Sequence, residues 1–535
     1  MTSVTKKILG VSAGFHDAAL TVLHDSEIVF AAHSERYSKK KNDMNVCEAL
    51  QRAALEYGPF DEIVYYEKPW KRQLRKLRSG EPWGGNWLTS TELIQSIPLI
   101  MSVHSEVKLL PDITDCVPGR IEEIDKVLHY NTKIKSVSHH LAHAAAGFQT
   151  SPFKEAAVVV IDAIGEMDTI SIYKADYGTT PSYMGANQHK KARYKRVYRQ
   201  TYPHSIGMFY SAVTKRVGLR PMDEEYITMG MAAYGTGSKA IGTLIDNLVH
   251  DIPTATFSRN MHVGIDDLEF ASDVDEMDIA AAGQQLCEEL ITGVMRTARE
   301  LTGSRNLVYM GGVALNCVAN SQLGDIFDQI WIMPNPGDAG SSLGAAALAH
   351  GGKLNWTTPF LGTNIGGEYP VKELIKQLKT KKIVGVASGR AEFGPRALGN
   401  RSLLADPRGK KIKDRVNEIK RRQKFRPFAP VILEEHVHDY FDMPKNQPTS
   451  RYMQVVATVK HPQKFPAITH ADRTARVQTV PADDSGIRKL LEAWYAQTGC
   501  PMLLNTSLNI RGEPMVDTRY DADRFEKQYG VKVCS

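Results

Sequence analysis

Cysteine is scarce in this chain of 535 residues. The six present, Cys47, Cys116, Cys287, Cys317, Cys500 and Cys534, fall at no paired spacing. A disulfide framework and a zinc knuckle are thereby excluded, and a reducing, cytoplasmic setting is expected. No apolar run approaches the ~20 residues that a membrane span needs. The opening Met1-Thr-Ser-Val-Thr-Lys-Lys7 lacks the apolar stretch of a secretion leader, so a soluble protein without membrane contact is expected. Strong charge of one sign is also missing. The net charge is +6, with 24% charged and 42% hydrophobic residues, which is ordinary for a globular protein and does not by itself indicate nucleic acid. The length is too great for one core, and roughly two or three domains are expected.

What is present begins with Ser138-His139-His140-Leu141-Ala142-His143-Ala144. His139 and His143 are four positions apart in a run of good helix formers. That spacing stacks both imidazoles on one helical face, with Cβ atoms roughly 5–6 Å apart. Two such rings can grip one metal ion. No glutamate follows the first histidine, so the general base of a zinc protease is missing.

Read in order, Lys7 to Leu20 gives strand, turn and strand, continued by Glu27 to Ala32 as a hairpin meander. The first turn region holds Gly10, Gly14, His16 and Asp17, and small residues there let the backbone approach a phosphate. From about residue 45 to 135 the pattern reads as mostly helical, with Ile134–Val137 a short strand before the histidine helix. Ala156 to Glu166 is an apolar run ending in Asp162-x-x-Gly165-Glu166. It reads as a buried strand carrying an acid at its carboxyl end, where ligands of α/β sheets gather. Pro203 to Gly235 reads as helical with Gly-rich breaks, and Asp278 to Thr302 as a long amphipathic helix. Asn306–Asn316 then runs strand, Gly311-Gly312, helix, an arrangement that lets a nucleotide lie against backbone N–H groups, with Asn316 at the helix start. Asp338 falls just past another strand. Two hairpins and two Gly-rich strand-to-helix turns predict a duplicated α/β ATPase-type core. His139, His143, Asp162 and Asp338 make a plausible four-donor metal set.

Gly351 to Glu368 turns to Gly, Thr and Pro, and a domain boundary is placed there, dividing 1–355 from 356–535. The second part has Arg390, Arg396 and Arg401 among glycines, geometry suited to phosphate or carbonate oxygens. Lys420 and Arg426 follow on a basic helix end, then Arg476, and then Asn505 and Ser507. No acid pair or Ser-His-Asp spacing appears in this part, so its chemistry would rest on cationic and amide groups.

These motifs together closely resemble the O-carbamoyltransferases of the NodU/CmcH type. The residues that carry the resemblance are GVSAGFHDAAL at Gly10–Leu20, HHLAHAAA at His139–Ala146, DAIGE at Asp162–Glu166, HSIGMFYSAVT at His204–Thr214 and YITMGMAAYG at Tyr226–Gly235. They continue with GGVALNCVAN at Gly311–Asn320, GDAGSSLGAA at Gly337–Ala346, EFGPRALGNRSLLADPR at Glu392–Arg408, KFRPFAPVIL at Lys424–Leu433, THADRTARVQTV at Thr469–Val480 and LLNTSLNIRGEP at Leu503–Pro514. The resemblance implies an N-terminal domain similar to the ATPase that transfers threonylcarbamoyl to tRNA, with an actin/hexokinase-type core, and a YrdC-like C-terminal domain. It implies that carbamoyl-adenylate forms in the second domain from carbamoyl phosphate and ATP, with Mg. The carbamoyl group then passes to a hydroxyl beside an iron-type metal, or another divalent metal, in the first. On this reading Arg396, Lys420, Arg426 and Arg476 neutralise phosphates. Gly10, Gly311, Gly312, Asn316, Arg401, Asn505 and Ser507 line nucleotide sites, and His16 is the base for the acceptor hydroxyl.

Members of this group usually continue further after the Gly-Glu-Pro motif, so a shortened last helix is expected. Gln188 to Gln200 carries six basic residues and no acid, interleaved with Tyr194 and Tyr198. That composition suits a phosphorylated, base-bearing acceptor such as a hydroxymethyl nucleotide, or a nucleic acid. A second basic run spans Lys68–Arg78 and reads as a solvated face. A homodimer is expected. A tRNA threonylcarbamoyl-type transferase would resemble only the N-terminal part, and a non-enzymatic nucleic-acid-binding scaffold would leave the histidine and arginine sets without purpose.

Overall fold

A computed structural model describes residues 5–79, 128–178, 191–265 and 273–535. Cys116, the helical pattern read over residues 80–127 and Gln188–Lys190 lie outside the described residues.

Two five-stranded sheets share one strand order. In the first, β1 (Lys7–Ser12), β2 (Ala19–His24) and β3 (Glu27–His33) form an antiparallel meander. Strands β4 (Phe60–Tyr65) and β5 (Leu128–Ser136) add parallel to β1 on its other side. In the second, β6 (Glu155–Gly165), β7 (Asp168–Tyr177) and β8 (Ala192–Thr201) form the meander. Strands β9 (Asn306–Met310) and β10 (Gln329–Trp331) add parallel to β6. The duplication expected from the two hairpins is therefore present. The helical reading of residues 45–135 is corrected at Phe60–Tyr65 and Leu128–Ser136, which are strands. Phe60-Asp-Glu-Ile-Val-Tyr is too short for a helix and rich in β-formers.

Two helices pack together at the middle of this unit. Helix α3 (His139–Thr150) is buried at every position but Leu141. Helix α6 (Ser341–His350) packs against α3 and β1. Only small side chains fit between elements this close, which explains the alanines in both. Helix α5 (Glu276–Thr302) covers the second sheet, N-capped by Asp275 and closed by Gly303 in the left-handed region.

The third sheet has six strands in mixed orientation. Its order is β14 (Gln478–Val480), β13 (Ala429–Leu433), β15 (Met502–Ser507), β12 (Arg401–Ala405), β11 (Ile383–Ala387), β16 (Val533–Cys534). Helices α7 (Val371–Lys381) and α8 (Gly486–Thr498) share its core. The final helix, α9, spans Arg519–Tyr529. A capping box of Thr518 and Asp521 opens it and Gly530 closes it. Around the expected boundary, Leu354 and Leu361 pack with the first sheet and Ile365 with the third.

His33 joins both parts. Asn335 Nδ2 donates to its Nε2 at 2.9 Å, and Phe393 meets its ring edge-on at 5.6 Å. Burial pushes the His33 pKa down to about 4, opposed by the Asp17 charge and assisted by that of Arg36. An imidazole depressed in this way stabilises the fold fully above the unfolded value near 6.5, and the contribution is lost as pH falls from there through about 4. His33→Gln keeps an acceptor for Asn335 but cannot titrate. Between those pH values its stability is expected to fall by about 3 kcal/mol less than that of the wild type, measured by denaturant titration at each pH.

Candidate functional site

Four side chains converge between the two sheets. The α3 helix stacks His139 and His143 with their Nε2 atoms 3.1 Å apart. Asp162 sits inside the carboxyl-terminal part of β6, its Oδ2 at 3.3 Å from His139 Nε2 and 3.7 Å from His143 Nε2. Asp338, at the start of a 3-10 turn before α6, places Oδ1 at 3.3 and 3.2 Å from the same two nitrogens. One donor atom from each residue lies within 4.8 Å of all the others. A first-row divalent ion about 2.0–2.2 Å from each donor would separate them by comparable distances.

Proton bookkeeping favours a cation over a purely structural cluster. His143 Nδ1 lies 3.0 Å from the Pro336 carbonyl, which can only accept. Nδ1 therefore carries the proton, and in the neutral ring Nε2 is a lone pair aimed at Asp338. Buried carboxylates are costly unless compensated. Burial disfavours charge on His139, but the Asp338 charge and hydrogen bonds to Asp162, Asp338 and Glu67 outweigh it and raise its pKa well above the usual range. Asp162 is held well below the carboxylate range against its burial by its two histidine partners. Without a metal the cluster binds protons; two imidazoles and two carboxylates equally suit a divalent ion such as Fe, Mn or Zn.

The surroundings fix these donors. Gly312 N–H donates to Asp162 Oδ1 at 3.2 Å, leaving Oδ2 to face the histidines. Gly311, at φ 93°, passes so near β6 that a side chain would strike the Ile161 carbonyl. These glycines thus position Asp162 and pack against β6. Glu67, just past β4, places Oε2 3.6 Å from His139 Nδ1. Glu166 accepts from the N–H of Lys68 and His139, from Lys71 Nζ and from Ser138 Oγ, which pins the start of α3. The signal that revealed Asp162, an apolar strand ending in an acid, was also present at Ile63-Val-Tyr-Tyr-Glu67 but was hidden by the helical reading of that region.

His16 lies in the turn after β1, half-buried. Its Nδ1 is 2.8 Å from Asp17 Oδ2 and its Nε2 2.9 Å from the Met222 carbonyl. Burial opposes charge, but Asp17, Asp338 and Met222 overcome it and hold the pKa up to about 10. In this arrangement His16 is a cation donating at both nitrogens, with no lone pair for an acceptor hydroxyl. Gly10 lies inside β1, away from the turn. A side chain there would collide with the Ser342 carbonyl, so its role is packing against α6. Asn316 caps the short helix after it and pairs amide to amide with Gln284 at 3.1 Å, so its buried groups are engaged within the protein.

The second cluster is cationic. Glu392 Oε1 accepts the N–H groups of Leu398, Asn400 and Arg401, which folds residues 393–400 into a tight loop. Asn505 Nδ2 donates to the Ala397 carbonyl, and Gln478 Nε2 to that of Leu398. Asn505 and Gln478 thus hold the loop that presents Arg396. Burial and the neighbouring Arg476 charge push the Arg396 pKa down to about 9. Arg426 lies over the Tyr226 ring at 4.8 Å, on helix α4 (Glu225–Met231), and Arg422 lies over Phe428 at 4.3 Å. Burial and Arg426 hold Arg422 well below its usual range. Among the described residues no carboxylate forms an ion pair with Arg396, Arg422, Arg426 or Arg476.

Three expected phosphate or nucleotide ligands are committed elsewhere. Arg401 is fully buried, and its nitrogens donate to the carbonyls of Asp517, Ser388, Gly389, Asn400 and Thr363. Lys420 Nζ donates to oxygens of Ser507 and Asn509, so both Lys420 and Ser507 fasten the turn after β15. The interleaved tyrosines of Gln188–Gln200 do not form a stacking surface over the described residues. Tyr194 packs on Phe148 and bonds Gln149, while Arg193 pairs with Asp176, and Arg196 and Arg199 with Asp168.

The Arg396 loop packs against the segment that leads into Asp338. Gly394 approaches the Pro334 carbonyl and Asn335, and Arg396 lines one small cavity with Pro334 and Pro336. Residues 7–347 match the carbamoyltransferase N-terminus family, and residues 375–534 match the carbamoyltransferase C-terminus family. The chain belongs to the carbamoyltransferase family. Its relatives include the Synechocystis sp. protein sll1178, 32% identical over 97% of this chain and 93% of that one. The nodulation protein NolNO of Sinorhizobium fredii is 30% identical over 95% of this chain and 76% of its own length. Among solved structures, component A of the (R)-2-hydroxyglutaryl-CoA dehydratase of Acidaminococcus fermentans overlaps at a TM-score of 0.34 and 15% identity. It covers 65% of this chain and 98% of that one, a likeness too weak to assign a fold. The carbamoyltransferase is thus a transferase enzyme with a four-donor cluster facing a cationic one.

His139→Ala is expected to reduce bound metal from about one ion per chain to near zero, read by elemental analysis. Glu67→Gln is expected to keep the ion but weaken its affinity about 10–100-fold, read by chelator competition. Unchanged metal content in His139→Ala would remove the ligand assignment.

Proposed function

We propose that this carbamoyltransferase is ATP-dependent and carbamoylates a hydroxyl. At the arginine cluster one water cleaves carbamoyl phosphate to carbamate and phosphate, and the carbamate oxygen then attacks the α-phosphorus of ATP, forming carbamoyl-adenylate as pyrophosphate leaves. The carbamoyl group then passes to an acceptor hydroxyl at the four-donor centre. On this reading the paired sheets are an actin/hexokinase-type ATPase core, the region from residue 356 is YrdC-like, and the ion is iron.

One juxtaposition carries the reading. Arg396 and Pro336 line the same cavity, and the Pro336 carbonyl also holds His143. A mixed anhydride made beside the arginines has a short way to travel, and enclosure protects it from water.

Each residue has a physical task. Arg396, Arg422, Arg426 and Arg476 repel one another in a buried setting, and a polyphosphate relieves that repulsion. Asn505, Gln478 and Glu392 hold the Arg396 loop in place before substrate arrives. A divalent cation supplies Lewis acidity toward the carbamoyl oxygen. Gly312, Glu67 and Glu166 orient the donors that hold it. His16, bonded at both nitrogens, contributes fixed positive charge beside the centre; serving as a base would require breaking its bond to Met222. The acceptor is a small molecule or nucleotide bearing a hydroxyl, such as a hydroxymethyl nucleotide, an antibiotic or a sugar.

Two variants separate the half-reactions. Arg396→Ala is expected to slow carbamoyl-phosphate-dependent pyrophosphate release about 100-fold or more with metal content unchanged. His143→Ala is expected to release pyrophosphate near the wild-type rate yet yield no carbamoylated product. Mass spectrometry over a panel of neutral aminoglycoside, sugar and hydroxymethyl-nucleotide acceptors reads the product. Parallel loss of both half-reactions in both variants would refute the division.

A further inference from the structure

The hydroxyl of Tyr66 has no task in the mechanism above. Tyr66 follows β4 directly and is fully buried. Its N–H donates to the Val11 carbonyl at 3.0 Å, and Tyr65 meets its ring edge-on at 5.3 Å. The other side of the ring environment is His139, with centroids 4.9 Å apart and planes tilted by 53°. The phenol oxygen is enclosed and has no hydrogen-bond partner among the described residues.

A buried, unpaired hydroxyl is costly, and phenylalanine would fill the same volume without that cost. Tyr309 is also buried with an unpaired hydroxyl. It lies within β9, in the apolar core that α5 covers. Tyr66 differs, because its ring packs directly against His139 of the four-donor cluster, with centroids 4.9 Å apart. A phenol hydroxyl enclosed beside a transfer centre, with no acceptor of its own among the described residues, is a donor available to negative charge that develops there.

We propose that Tyr66 is a catalytic residue of the transfer site, donating its O–H to the carbamoyl carbonyl oxygen as that oxygen becomes an oxyanion. The inference rests on the hydroxyl-carbamoylation reading given above. In the step, the acceptor oxygen bonds to the carbamoyl carbon and the carbonyl π pair moves onto oxygen. The pair returns as the bond from carbon to the adenylate oxygen breaks. AMP leaves with that bonding pair, and the acceptor proton passes to its phosphate. Tyr66 keeps its own proton throughout.

The test is Tyr66→Phe in the full chain, purified with its metal. Metal content and pyrophosphate release are expected at wild-type levels, and the thermal midpoint equal or higher. Carbamoylated product is expected to form about 100-fold more slowly with the acceptor KM unchanged. A product rate near that of the wild type would overturn the role. Loss of metal or a lowered thermal midpoint would also overturn it, because the hydroxyl would then be structural. If wild-type protein releases pyrophosphate but carbamoylates no acceptor, the reading of the reaction fails, and the Tyr66 role with it. If wild type carbamoylates and Tyr66→Phe does so equally, only the Tyr66 role fails.

Discussion

The organising constraint is electrostatic: four lone-pair donors are forced together where little water reaches them. His139 and His143 are brought into register by one helical turn, and β6 and the 338–340 turn bring a carboxylate each. Such a cluster is tolerable only with positive charge at its centre, whether protons or a metal ion. Much of the surrounding structure follows from holding it. Glycines at 311 and 312 bring an amide to Asp162, Glu166 anchors the helix start, and α6 closes the far side.

The opposite problem stands across the same wall. Arg396, Arg422, Arg426 and Arg476 are half-buried cations without carboxylate partners among the described residues. Each part of the chain thus leaves unbalanced charge near the seam, negative on the side of Asp338 and positive on the side of Arg396. The two parts are joined by neutral contacts, His33 with Phe393 and Gly394 against Pro334, and by ion pairs of Lys39 with Asp521 and of Arg511 with Glu224. Those pairs use none of the four donors and none of the four arginines, so both clusters keep their charge for a cation or an anionic substrate.

The sequence disclosed the duplicated sheets, the long α5 helix, the four-donor set and the family, because each rests on a local period or on residues that retain their order. It was silent where role depends on distant partners. Arg401 and Arg396 share a glycine-rich segment, yet one is spent on five carbonyls and the other faces the cavity. Lys420 and Arg426 differ in the same way. Tyr194 read as part of a basic surface because its packing on Phe148 and its bond to Gln149 come from α3, about 45 positions earlier in the chain. His16 could be named from its turn, but the bond that occupies its Nε2 comes from the Met222 carbonyl, far along the chain. The strand at Phe60–Tyr65 was missed because its flanks are helical and its run is short.

The packing of Gly10 and Thr21 against α6 also bears on how the protein is assembled. Thr21 Oγ1 and Ser342 Oγ meet at 2.8 Å across a separation of 321 positions. Asp338 arrives on that same late segment. Closing so long a loop is entropically unfavourable before the contact is made, and topologies of this kind fold slowly. His143 and Asp338 are themselves 195 positions apart, so an ion held by all four donors would tie early and late segments of the chain together and favour the folded state over the unfolded one.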